Sequence, residues 1–249
     1  LGTNAFIEAI KMAIITKDLK IIKYFIENGA NVNMTDEIGN PGICYAVEAD
    51  DLELIKYLLE NGADKKSHIN YAFSAAVKHG KKEIAEVLLE KGADIDYRAS
   101  DFDWSILMSA ANVGNKEMVE FLLEQGANVN ISDYSGITAL SLALRNRYFD
   151  IVNILIEHNA KINMRQCLEE LKYTLGDYSP EVIEFLIPII IIPENYVKIF
   201  DAIFIYGNER ILLLFIQRGL DVNAIDEDGQ NLLMHGLTIF KHSITPSLK

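Results

Sequence analysis

A four-residue motif that recurs along the chain constrains its fold more than any other feature. Glu-x-Gly-Ala occurs four times, and a fifth copy carries asparagine in place of the glycine. The glycine or asparagine stands at positions 29, 62, 92, 126 and 159, which are 33, 30, 34 and 33 residues apart. A period of this length predicts a repeat architecture in which each unit packs against its neighbours.

Each copy of the motif follows an amphipathic segment, for example residues 53–59 or 117–123. Apolar residues recur there at the spacing of one helix face, which predicts a helix with one buried side. Glycine ends such a helix well because it adopts positive φ without a Cβ clash, and Asn159 is the next best residue for that role. An alanine-containing helix is predicted about ten residues before each amphipathic one.

The segments between repeats predict turns. Alternating small polar residues lead into Asp-x-x-Gly at 133–136 and 226–229, a pattern typical of a turn-rich hairpin. The third repeat lacks this turn at residues 64–71 and is three residues shorter. We therefore expect its hairpin to be reduced.

Two helices and a protruding hairpin every 33 or so residues resemble the ankyrin repeat. The resemblance implies an all-α solenoid of about seven to eight repeats, the sixth of them degenerate. The family's Thr-Pro-Leu-His opening is present only in weakened forms, so the first helices are expected to be less firmly fixed. The fifth repeat carries residues typical of the family in order: Asp133, Gly136, Thr138, Ala139, Leu140, Ala143, Ile151, Val152, Leu155 and Ala160.

We expect one repeat domain over residues 1–249. Residues 5–15 and 19–27 predict a helix pair without a leading hairpin, as an N-terminal cap would form. The expected repeats are 4–35, 36–66, 67–98, 99–132, 133–164, 165–193 (degenerate), 194–225 and 226–249 (partial).

The charge and cysteine content narrow the classes of partner and compartment. The formal net charge of −13 is spread along the chain, so we expect no nucleic acid partner. The apolar run 185–192 is broken by Pro188 and is too short to span a membrane. Two distant cysteines, Cys44 and Cys167, are interpreted as buried thiols. Reduced thiols weakly favour a cytoplasmic location, and the sequence leaves open the alternative that the protein is an exported effector.

Motifs for metal, phosphate or covalent chemistry are missing from the sequence. The five histidines have no metal-ligand spacing, and Cys-x-x-Cys, Gly-x-x-x-x-Gly-Lys and Gly-x-Ser-x-Gly do not occur. Acidic pairs such as Asp50 and Asp51 are interpreted as surface charge on turns and helix ends. We therefore expect no enzymatic activity, no cofactor and no metal.

The resemblance also implies where a partner protein binds. Partners of ankyrin repeats commonly contact the hairpin tips and the exposed residues late in each first helix. Carried onto this chain, these positions on the concave face include Glu48, Lys78, His79, Phe102, Trp104, Asn112, Tyr134, Ile137, Arg145 and Asn146. The same rule places His68 and Asn70 at a hairpin tip.

Trp104 and Tyr134 are typical of interface anchors because they are large aromatic residues at turn positions expected to be exposed. A packing role for Trp104 is also open, since Asp103 replaces the turn glycine and the indole could fill the gap or cover its own first helix.

Three functional hypotheses follow. The first is a scaffold for another protein, with the acidic balance favouring a partner that has a basic patch. The alternative is the regulatory or targeting repeat domain of a larger enzyme or of a secreted bacterial effector. The third is self-assembly through the ends of the array, so the oligomeric state stays open.

Overall fold

The computed structural model describes residues 3–98 and 103–161, together with isolated residues between 213 and 236. Within these ranges the chain forms helices of 7 to 14 residues joined by turns. The all-α prediction is therefore confirmed. The helices are α1 (Thr3–Thr16), α2 (Lys20–Glu27), α3 (Gly42–Glu48), α4 (Leu52–Glu60), α5 (Lys66–Lys78), α6 (Lys82–Glu90), α7 (Ile106–Val113), α8 (Lys116–Glu124), α9 (Ala139–Arg145) and α10 (Phe149–Glu157).

The chain divides into two compact bodies, Leu1–Ala139 and Leu140–Lys249. In the N-terminal body the helices pack in pairs, α1 with α2, α3 with α4, α5 with α6 and α7 with α8. The first helix of each pair also contacts the first helix of the next pair, and α4 contacts α6. The predicted stack of helix pairs is thus present in this body. The C-terminal body contains most of α9 and all of α10.

Small residues let the first helices approach closely in the N-terminal body. Ala46, Ala76 and Ala111 are fully buried in α3, α5 and α7. A Cβ atom at Gly42 would lie 2.6 Å from Cδ1 of Ile10 on α1, so a larger side chain there would have to displace the Ile10 side chain. The second helices bury their apolar stripes against this layer.

The residues predicted to end the second helices have the expected backbone conformation. Gly29, Gly62, Gly92 and Gly126 have φ values of 80°, 93°, 89° and 89°. Asn159, in the C-terminal body, has a φ of 65°. Because this left-handed region favours glycine and then asparagine, the repeat motif encodes the helix ends directly.

An aspartate organises each regular turn. Asp36 Oδ1 accepts hydrogen bonds from the backbone N–H groups of Ile38 (3.0 Å) and Asn40 (2.8 Å). Asp133 Oδ1 accepts from Ser135 and Ile137, both at 2.8 Å. Antiparallel bridges at Thr35–Pro41 and Ser132–Thr138 close these two turns. In the fourth repeat Asp103 takes the position of the turn glycine, with a φ of 59°.

The third repeat is built differently. The chain enters α5 at Lys66, and this helix has 13 residues, whereas α3 has 7. No bridge precedes α5 in the described residues, which confirms the reduced hairpin. The prediction that His68 and Asn70 lie at a hairpin tip is wrong: both are helical and 7% exposed. The missing turn is replaced by an added length of helix, which draws these side chains into the interior.

Side-chain hydrogen bonds hold the loops that follow α4, α6 and α8. Asn33 Nδ2 donates to the carbonyl oxygen of Gly62 at 2.6 Å. The backbone N–H of Asp94 donates to Asn70 Oδ1 at 2.8 Å, and that of Asn128 donates to Asp96 Oδ1 at 2.9 Å. We call this series the loop ladder.

Candidate functional site

A groove of about 390 Å³ crosses the first helices of the second, third and fourth repeats. It brings together five residues that the sequence assigned to partner binding: Glu48, Lys78, His79, Trp104 and Asn112. Its other lining residues are Asn40, Cys44, Tyr71, Ser74, Ala75, Ser109 and Val113.

Helix α5 supplies the middle of the groove. Tyr71, Ser74, Ala75 and Lys78 line it and lie at i, i+3, i+4 and i+7, which places them on one helix face. Sequence reasoning missed the first three. Tyr71 fell in the segment 64–71, which was expected to carry a reduced hairpin, and Ser74 and Ala75 were predicted only as small residues of the first helix. These residues stand seven, four and three positions before Lys78, and that helical spacing is the signal that could have identified them.

Small and polar side chains leave space within the groove. Ser74, Ala75 and Ser109 are only partly buried, whereas Tyr71 keeps 44% of its surface exposed at the rim. The Tyr71 hydroxyl donates to Asn40 Oδ1 at 3.3 Å, which connects the third repeat to the turn of the second. A partner side chain could therefore enter between the aromatic rim and the small residues.

The Trp104 indole is held in a defined orientation. Its Nε1 donates to Asp133 Oδ2 at 3.2 Å, across the junction between the fourth and fifth repeats. The side chain is half-buried and also lines the groove. Asp103, beside it, forms an ion pair with Arg98 of the same turn. The indole is thus tied to the turn of the next repeat while it also lines the groove.

Tyr134 and Ile137 lie on the next turn. Tyr134 is 90% exposed at its tip, and Ile137 is half-buried. Asp133 holds this turn with one carboxylate oxygen and the Trp104 indole with the other. The turn and the indole are therefore positioned together, although neither Tyr134 nor Ile137 lines the groove.

The end of the groove at α3 is acidic. Burial, followed by the charges of Glu48 and Asp36, raises the pKa of the Cys44 thiol to about 12. Asp36 Oδ2 accepts a hydrogen bond from the Tyr45 hydroxyl at 2.6 Å, which lowers the pKa of this carboxyl group. The thiol stays protonated at neutral pH, so it lacks the thiolate that a nucleophile requires. This end offers negative charge and hydrogen-bond acceptors.

Two of the predicted residues, Arg145 and Asn146, are described but do not line the groove. Arg145 is half-buried at the end of α9. Asn146 follows it, exposed, and its amide donates to the Leu142 carbonyl oxygen at 3.0 Å. Both belong to the C-terminal body. Phe102 lies outside the described residues, as do Cys167 and the degenerate repeat 165–193.

Residues 3–98, 103–161 and the isolated positions beyond them contain no group of three or more His, Cys, Asp or Glu side chains that could hold a metal ion. Over the same part of the chain, no helix has the length and apolar character needed to cross a membrane. What the groove does offer is shape, hydrogen-bonding groups and an aromatic rim.

The stacked helix pairs, aspartate turns and glycine-terminated helices define a helical repeat protein. The family model for ankyrin repeats, which describes three copies, matches residues 10–99 and 73–166. The chain belongs to the ankyrin-repeat family. Ankyrin repeats are generally protein–protein interaction modules.

Two relatives carry the same repeat. An ankyrin repeat protein of fowlpox virus (strain NVSL) is 28% identical over 164 residues, which is 66% of this chain and 31% of that protein. An ankyrin repeat-containing protein of Treponema pallidum (strain Nichols) is 32% identical over 87 residues, 35% of this chain and 29% of that protein. The matched segments span about a third of the length of these relatives.

Proposed function

We propose that the chain is a scaffold that binds a segment of another protein in the groove across α3, α5 and α7. The observation that carries this proposal is the convergence of five sequence-predicted residues on one groove, beside an indole held by Asp133. A fixed aromatic side chain loses little conformational freedom on binding, which favours its use as an anchor.

The groove chemistry favours a particular arrangement of the partner. An apolar partner side chain fits against Trp104 over Ser74, Ala75 and Ser109, where it would displace water from small side chains. A basic partner residue fits the α3 end, near Glu48. We include Tyr134 and Ile137, at the next turn, as the rim of the same surface. No catalytic step is assigned to it.

The acidic character of the whole chain supports a partner with a basic patch. A net charge of −13 attracts a positively charged surface over roughly one Debye length, about 8 Å at physiological salt. The main effect of this attraction is faster and more selective encounter. Association should therefore slow as ionic strength rises, while dissociation, which depends on the groove contacts, should change less.

The test begins with capture of a partner from native cell extract by the full chain, identification of that partner, and measurement of its dissociation constant. Trp104→Ala should weaken binding by about 30-fold, corresponding to loss of a hot spot of about 2 kcal/mol. Because Trp104 is half-buried, Val113→Arg provides a second variant: Val113 lines the groove and is 53% exposed, so the longer side chain obstructs it at little cost to the fold.

Two controls locate the binding surface. Glu124→Lys changes an exposed charge at the end of α8, outside the groove, and should leave the affinity nearly unchanged. Tyr134→Ala should weaken binding less than Trp104→Ala does. Full affinity in a folded Val113→Arg variant would overturn the groove assignment, and loss only in Tyr134→Ala would move the site to the turn tips.

A further inference from the structure

The glycine that ends each second helix follows a different residue in different repeats. Asn28 precedes it in the first repeat and Asn61 in the second, whereas Lys91 and Gln125 stand at this position in the third and fourth. An asparagine before glycine can react with its own backbone, because glycine has no Cβ to shield the nitrogen that attacks the asparagine amide carbon. The first two repeats therefore each carry a candidate modification site.

The folded helix end holds both reacting groups of the Asn61 site in hydrogen bonds. Asn61 Nδ2 donates to the Tyr57 carbonyl oxygen at 2.8 Å, which directs the side chain back along α4. The backbone N–H of Gly62 donates to the Leu59 carbonyl oxygen at 3.2 Å, so the attacking nitrogen is already engaged. Asn61 is exposed to water. Hydrogen bonds, rather than burial, therefore restrain the reaction.

A side chain from the first repeat fixes the backbone on the other side of Gly62. Asn33 Nδ2 donates to the Gly62 carbonyl oxygen at 2.6 Å, and Asn33 Oδ1 accepts from the backbone N–H of Lys65 at 3.4 Å. Val32, next to Asn33, is buried, and its Cγ2 would lie 3.9 Å from a Cβ atom at Gly62. The segment 62–65 is thus held by one amide group, and only while the first and second repeats are in contact.

We propose that Asn61 is a site of spontaneous deamidation whose rate is set by opening of the junction between the first and second repeats. When the Asn33 bonds break, the loop after α4 is released and the Gly62 N–H can leave the Leu59 carbonyl oxygen. The Gly62 nitrogen then forms a bond to Asn61 Cγ and gives up its proton, and Asn61 Nδ2 departs with that proton as ammonia. Water opens the resulting succinimide at either carbonyl, which leaves aspartate or isoaspartate at position 61.

Either product weakens the end of α4. Aspartate has no N–H to donate to the Tyr57 carbonyl oxygen, and its charge lies at the C-terminal end of the helix, where the helix dipole disfavours an anion. Isoaspartate adds a carbon atom to the backbone beside Gly62, whose φ of 93° belongs to a defined helix end. The modification therefore converts a transient opening into a lasting loss of stability at this junction. The inference does not depend on the function proposed for the groove.

Peptide mapping by mass spectrometry, on the full chain incubated at neutral pH, measures deamidation at each asparagine. Asn33→Ala removes the donor to Gly62 and should speed the reaction at Asn61 about fivefold, equivalent to losing one hydrogen bond of about 1 kcal/mol. Asn33→Asp is the second variant, because it removes the same donor and keeps the size of the side chain. Circular dichroism confirms that both variants are folded.

Asn28 is the internal control for the rate. Its Nδ2 donates to the Tyr24 carbonyl oxygen at 2.8 Å, so its helix end matches that of Asn61. The Asn33 bond is made to the second repeat, so both Asn33 variants should leave the rate at Asn28 unchanged.

Asn61→Gln tests the consequence of the modification. Glutamine stands at the same position in the fourth repeat, so it is compatible with this helix end. After full conversion at position 61, the parent chain should melt about 2–4 °C below the fresh protein. Asn61→Gln, incubated for the same time, should lose less.

Three results would overturn the proposal. Equal acceleration of Asn28 and Asn61 by the Asn33 variants would assign the reaction to global unfolding. No acceleration at Asn61 in either folded variant would show that the junction does not control the rate. An Asn61 that stays intact in both variants, while a urea-unfolded chain converts completely, would show that the folded chain has no such site.

Discussion

The second and third repeats differ in the turn that precedes the first helix and in the length of that helix. In the second repeat, Asp36 organises a closed turn and the first helix has 7 residues. In the third, the turn is missing and α5 has 13 residues. Both repeats nevertheless stack through their first helices. The difference indicates that helix packing sets the stacking, while the turn can vary in length.

The loop ladder continues through the altered repeat with a different residue. Asn33, in the loop that ends the first repeat, donates to the Gly62 carbonyl oxygen of the second repeat. At the next junction Lys66 donates to the corresponding Gly92 carbonyl oxygen. Within the third repeat, the helical residue Asn70 accepts the N–H of Asp94. The added helical length places an amide side chain near the position that a loop residue would otherwise occupy. The connection between neighbours is thus kept although the local backbone differs.

The largest expected effect tests whether helix packing supports the altered repeat. Phe73→Ala removes a fully buried ring from α5 and should lower the free energy of unfolding by about 3–5 kcal/mol. Chemical denaturation monitored by circular dichroism measures this change. The exposed Tyr71→Ala substitution on the same helix is the control and should cost much less. A loss below about 1 kcal/mol for Phe73→Ala would show that α5 is not the main support.

A smaller effect tests the replacement in the loop ladder. Asn70→Ala removes the acceptor for the Asp94 N–H and should cost about 1 kcal/mol, the typical net value of one such hydrogen bond. Asn33→Ala, which removes the donor to the Gly62 carbonyl oxygen at the junction of the first and second repeats, should cost a similar amount. Denaturant midpoints of the two variants provide the comparison. If Asn33→Ala destabilises the protein and Asn70→Ala is neutral, the two bonds are not equivalent.

The smallest effect concerns pH. Burial, followed by the positive charge of Lys65, lowers the pKa of His68 from its usual value near 6.5. The unfolded chain therefore takes up this proton at a higher pH than the folded chain does. Stability is fully present above pH 6.5 and falls as the pH drops through the lowered pKa. Unfolding midpoints at pH 7.5 and pH 5 measure the loss.

His68→Gln should reduce the part of this pH dependence that arises in the third repeat, and Lys65→Gln should have a weaker effect in the same direction. Identical midpoint shifts in the parent chain and in His68→Gln would contradict the assignment. This experiment separates the altered repeat from the second repeat, which has no histidine.

The regular parts of the fold could be predicted because each depends on local chemistry. The helix ends follow from glycine or asparagine at positive φ, and the turns follow from aspartate three residues before glycine. These signals occupy a few consecutive residues, so a single sequence contains them in full. The stack then follows from their period.

The candidate site was only partly predictable because it depends on contacts between repeats. The bond from Trp104 to Asp133 joins residues 29 positions apart, and the turn sequence alone does not show it. Tyr71 was missed because a deletion converts its segment from loop to helix. Knowing the family did not help there, since the third repeat departs from the family pattern at these residues.

The loop ladder has a mechanical consequence. Its bonds at Gly62 and Asn128 join the first repeat to the second and the third to the fourth, while the bond at Asp94 ties the loop of the third repeat to that repeat's own first helix. A pulling force applied along this body would pass through the junctions in series, so the weakest one would yield first. The break would stay local, because each repeat contacts only its immediate neighbours, and a relaxed chain could re-form the junction on the adjacent repeats that remain folded.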